Sequence, residues 1–136
     1  VENPIFPGVA AANIGEPMMF MVAQEDNSIG ELGNLFMRLN FDATAGPAWK
    51  VEIADAGHWS FSDIAGLVPQ FDAGCGDGVR QTVPGEPFTY IDNALARDIT
   101  ATYGMLFFAS ELLDDPAARD ALGTSILPGI VDVQVK

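Results

Sequence analysis

Apolar and polar positions alternate along this chain in blocks that predict strands and helices in turn. Met18-Met19-Phe20-Met21-Val22-Ala23 is apolar without interruption, the pattern of a strand covered on both faces in the middle of a parallel sheet. From Ser28 to Leu39 the spacing of Ile29, Leu32, Leu35, Phe36 and Leu39 predicts a helix, with Ser28 as N-cap and Glu31 three residues on. Trp49 to Asp55 alternates, placing Val51 and Ile53 inward and Lys50 and Glu52 outward. Residues 68–88 hold Pro69, Gly74, Gly76, Gly78, Pro84, Gly85 and Pro87, a pattern of irregular loop.

The longest periodic stretch runs from about Tyr90 to Leu113, with a start like a capping box at Thr89 and Asp92. Its stripe of Ile91, Leu95, Ile99, Thr102, Leu106, Ala109 and Leu113 is a core face. Asp115-Pro116 opens a short helix that Gly123 closes. Val131, Val133 and Val135 then share one face of a terminal edge strand. The pattern is that of a single α/β unit: an extended entry segment (1–16), two strands with their loops (17–67), a loop (68–88), and C-terminal helices and strand (89–136).

Composition narrows the partners. Of 136 residues, 49% are hydrophobic, enough for one domain's core. Nineteen acids against 4 Arg and 2 Lys give a net charge of −13, which repels phosphate backbones and anionic lipid heads, so no nucleic-acid partner is expected. No apolar run is long enough to span a membrane, and Val1-Glu2-Asn3-Pro4 lacks a signal-peptide pattern; the expectation is a soluble protein, cytoplasmic or secreted. Cys75 stands alone, and one histidine with one cysteine far apart make no metal ligand set. No cofactor motif is present: Gly74-x-Gly76-x-Gly78 lacks the strand-to-helix setting of a dinucleotide fingerprint.

The candidate chemistry lies at two strand ends. Asp26 follows the first apolar run, and His58, the only histidine, follows the second in Gly57-His58-Trp59-Ser60-Phe61-Ser62-Asp63. A carboxylate that fixes a histidine's tautomer and stabilises its cation turns that histidine into a general base near neutral pH. Glu25 is an alternative acid. Asp63 is expected to cap a short helix starting near Phe61, Asp55 to face solvent, Gly57 to permit a tight turn, and Trp59 and Phe61 to pack under the loop, the alternative being that they line an acyl pocket.

Pro17 to Asp26, the Asp55-Ala56-Gly57-His58-Trp59-Ser60-Phe61-Ser62-Asp63 segment, the Gly/Pro loop with its single Cys, and the long helix carrying Tyr103-Gly104-Met105-Leu106-Phe107-Phe108 together resemble the C-terminal part of an α/β-hydrolase. The nearest branch is the bacterial esterases similar to dienelactone hydrolase and platelet-activating-factor acetylhydrolase. The likeness runs from about Pro17 to Leu122 and implies parallel strands flanked by helices, with Asp26 and His58 as acid and base of a Ser-Asp-His triad. Ala23 stands where the family's acid strand ends in Gly. No Gly-x-Ser-x-Gly elbow or oxyanion loop is present. The resemblance therefore implies half of a serine ester hydrolase acting on a small ester, completed by a chain or N-terminal portion carrying the nucleophile, the isolated chain being inactive. The alternative is a catalytically silent module of binding or assembly, covering its open sheet by self-association.

Overall fold

The computed structural model describes residues 14–26, 30–65, 67–69 and 74–136. It is a mixed α/β structure: three helices surround a three-stranded sheet, and a two-stranded hairpin stands beside it. Strand β1 (Met18–Ala23) pairs in parallel with β2 (Ala48–Ile53), and β2 pairs antiparallel with β5 (Val131–Val135). The sheet is thus mixed, in the order β1-β2-β5.

Register explains the two layers. Met19, Met21 and Ala23 lie beside Trp49, Val51 and Ile53, which in turn lie beside Val135, Val133 and Val131. Alternation puts these residues on one face. There all but the exposed Val135 pack with Ile99 and Tyr103 of α2 (Asn93–Leu112) and Leu122 of α3 (Pro116–Leu122) to form the main core. On the opposite face Phe20 and Ala48 meet Phe41 of α1 (Gly30–Ala43), with Met18 and Met37 at the margin. The shared β1–β2 register sets two strand ends side by side: Gln24 donates its amide to Ile53 O and Glu25 to Ala56 O.

Several elements depart from expectation for identifiable reasons. In α1, Leu32 and Leu35 are exposed, while Asn34 and Phe41 are buried. That sheet face carries charge as well as carbon, so a mixed stripe fits it better than an apolar one. Arg38 pairs with Glu52 at 2.6 Å, and Lys50, expected outward, is buried with its ammonium over the Phe41 ring. Ser28 and Ile29 lie outside the described residues, as does most of the entry segment. The 68–88 stretch is not all loop: β3 (Asp77–Val79) and β4 (Pro87–Thr89) form a hairpin whose three-residue strands are too short to show a period. The long helix starts at Asn93, with Asp92 alone as N-cap accepting from Leu95 N at 3.0 Å; Thr89 instead sits in β4 and bonds Asp77. Thr102 and Leu113 of its expected stripe are exposed, and Ala96, Tyr103 and Ser110 are buried. Helix α3 has the expected Asp115 cap and Gly123 end. Strand β1, expected mid-sheet, is an edge strand among the described residues.

Candidate functional site

Asp26 and His58 come together where β1 and β2 end. His58 Nδ1 lies 3.1 Å from Asp26 Oδ2. A carboxylate can only accept, so this contact favours, for the neutral ring, the tautomer with its proton on Nδ1 and its lone pair on Nε2. The Asp26 side chain is 9% exposed and that of His58 38%, so the acid is sheltered while the base reaches the surface. No described side chain bonds Nε2. A cavity of about 240 Å³ opens beside the pair, lined by Met21 and Ala23 of β1, Asn34 and Met37 of α1, and Phe61. Its walls come from β1, α1 and the turns after β1 and β2.

Short-range contacts fix each partner. Asn34 of α1 donates to Ala23 O at 2.7 Å and Gln24 O at 3.3 Å, tying the helix to the end of the acid's strand. Gly30 N donates to Asp26 O at 2.8 Å. On the histidine side, Ser60 is fully buried; its hydroxyl accepts from Gly57 N at 2.9 Å and donates to Gly74 O at 2.8 Å. Asn93 donates to Ser60 O and Gly74 O, both at 3.1 Å. Gly57 serves a close approach rather than a special turn: a Cβ there would lie 2.6 Å from the Tyr90 ring and 2.8 Å from Gly74 Cα. Gly74 has φ +136, and a Cβ on it would strike Ser60 N at 2.5 Å.

The remaining candidates separate. Phe61 lines the cavity, whereas Trp59 stands edge-on to the His58 ring at 4.8 Å and orients it. Residues 57–65 form successive turns, so Asp63 caps no helix and pairs with Arg97 at 2.7 Å. Asp55, in the left-handed region at φ 56, pairs with Arg80 at 2.6 Å instead of facing solvent alone. Glu25 turns away from the histidine: its fully buried carboxylate accepts from Gln81 N at 2.7 Å, from Thr82 N and Oγ1, and from Arg80 Nη1 at 3.3 Å. Burial opposes its ionisation, but the Thr82 hydroxyl, the Gln81 and Thr82 amides and Arg80 outweigh this and hold it below the usual carboxylate value. Arg80 is raised by its bond to Asp55 and those to Glu25 and Glu86, which outweigh desolvation.

Sequence reasoning missed Asn34, Ser60, Arg80 and Thr82. Two adjacent acids at a strand end were the one available signal for the last two, since two carboxylates in one turn rarely share a role. Among the described residues no group of three or more His, Cys, Asp or Glu is placed to hold a metal ion, and no helix is long and apolar enough to cross a membrane.

No protein-family model, curated protein or solved structure matches the chain.

Proposed function

We propose that this chain carries the acid and base of a serine ester hydrolase of α/β-hydrolase type, the nucleophile arriving on a further segment or chain beside β1. One observation carries the reading: the Nδ1 of the only histidine faces a sheltered carboxylate, and the same side chain lines a cavity. That is the arrangement a general base needs, with one ring nitrogen held and the other available to a hydroxyl.

The chemistry follows from the two nitrogens. An incoming serine hydroxyl would give its proton to Nε2 as its oxygen bonds the ester carbonyl carbon. Asp26 would stabilise the imidazolium until the proton passes to the departing alkoxide. Water would then repeat the cycle on the acyl-serine. Met21, Met37 and Phe61 offer an apolar wall for a small acyl group. Ser60 is not that nucleophile, because both roles of its hydroxyl are taken within the loop.

Intact mass and a fluorophosphonate label on natively purified protein test the reading. The expected result is a labelled serine outside residues 1–136, in a polypeptide that co-purifies with them. Steady hydrolysis of p-nitrophenyl acetate by the isolated chain, abolished in His58→Ala, would contradict the split site. A native preparation that neither labels nor hydrolyses esters would contradict the hydrolase assignment and leave a binding or assembly module.

A further inference from the structure

The loop between β3 and β4 reaches across both strand ends that carry the candidate pair. From this loop Arg80 bonds Asp55, Glu25 and Glu86, at 2.6, 3.3 and 3.0 Å. Gln81 N and both donors of Thr82 close on the same Glu25 carboxylate, and the Gln81 side chain donates to Gln24 O at 3.2 Å. Glu25 precedes Asp26, and Asp55 lies three residues before His58. We infer that Arg80 and Thr82 are positioning residues, latching the acid's turn to the histidine's turn through Glu25 and Asp55 so that Asp26 and His58 stay in register.

Three observations point to a latch rather than a surface ornament. Glu25 is 0% exposed, and a carboxylate is removed from water only when charge and donors replace the water. Its donors come from residues 55 to 57 positions away, so the contact holds distant chain together rather than stabilising one turn. Among the described residues the two turns share two backbone bonds beyond the strands, Gln24 N to Ile53 O and Glu25 N to Ala56 O, together with Asp55 N to Gln24 Oε1 at 3.4 Å. Neither backbone bond involves Asp26 or His58. Arg80 also lies over the Phe88 ring at 4.7 Å, which seats the guanidinium against the hairpin.

The inference rests on Asp26 and His58 acting as a pair, and the sole histidine makes both claims readable in one spectrum. In uniformly 15N-labelled chain at a pH where the imidazole is neutral, the two ring nitrogens report which one holds the proton. Wild type should show the proton on Nδ1, and Asp26→Asn should move it toward Nε2 because the amide can present a donor to the ring. Arg80→Gln should move it in the same direction, by at least roughly half the Asp26→Asn change, and Arg80→Lys should partly restore it.

Thr82→Val removes one hydroxyl from the latch without changing any charge, and it serves if Arg80→Gln does not fold. It should move the tautomer the same way by a smaller amount. If Asp26→Asn shifts the tautomer while neither Arg80→Gln nor Thr82→Val does, the latch is wrong and the pair stands. If Asp26→Asn leaves it unchanged, the pairing itself is wrong.

Discussion

At the scale of single residues, two adjacent carboxylates do different work because different donors reach them. Asp26 meets the imidazole and Glu25 meets a loop, so substitutions at the two positions should separate. In the completed enzyme Asp26→Asn should lower turnover by about a hundredfold or more, since the amide keeps the size but no longer holds the cation; the equivalent change in a serine protease loses on the order of ten thousandfold. Glu25→Gln should act on stability first. The folded-state value of Glu25 is lowered, so its contribution is present above the unfolded carboxylate value of about 4.3 and lost as pH falls through the folded one. Urea midpoints measured from pH 7 down to pH 3 should therefore fall more steeply for wild type than for Glu25→Gln. Parallel curves would mean that the carboxylate is not held as described.

At the scale of elements, glycine and a buried hydroxyl let the turn after β2 pack closely against Gly74 and Tyr90. Gly57→Ala would force a Cβ into the Tyr90 ring and the Gly74 backbone, and overpacking of this kind costs about 1–3 kcal/mol. Ser60→Ala would leave Gly57 N without its acceptor and Gly74 O with Asn93 as its remaining donor, a loss of about 1–3 kcal/mol. Denaturant unfolding of the two variants measures both. A Ser60→Ala chain as stable as wild type would release that hydroxyl from its bracing role and reopen it as a nucleophile. These loops also show what was legible in the sequence. Strands β1, β2 and β5, the Asp115 and Gly123 boundaries and the strand-end placement of Asp26 and His58 could be read because period and capping chemistry are local. The α1 stripe was misread because only apolar residues were counted, whereas Asn34 and Arg38 face a sheet surface bearing polar backbone ends and Glu52. The Arg80 latch was invisible because its partners are far apart in sequence and no spacing rule joins them.

At the scale of the whole molecule, β1 has apolar residues on both faces and a partner on only one edge among the described residues. The candidate cavity is lined in part by β1, and Leu32 and Leu35 of α1 are exposed at 61% and 45%. An unpaired, two-faced apolar strand recruits another strand. Association is therefore expected at micromolar concentrations. A net charge of −13 opposes self-contact, so association should strengthen as salt shortens the screening length from about 30 Å at 0.01 M to about 10 Å at 0.1 M. Light scattering checks this, and a salt-independent monomer would show that the edge is satisfied within the chain.

The most direct test of the central claim is ester turnover by the complex purified on this chain, compared across wild type, Asp26→Asn, His58→Ala and the double variant. An acid and base that act as a unit predict a fall of about a hundredfold or more in each single variant and little further loss in the double. Unchanged turnover in His58→Ala would contradict the claim.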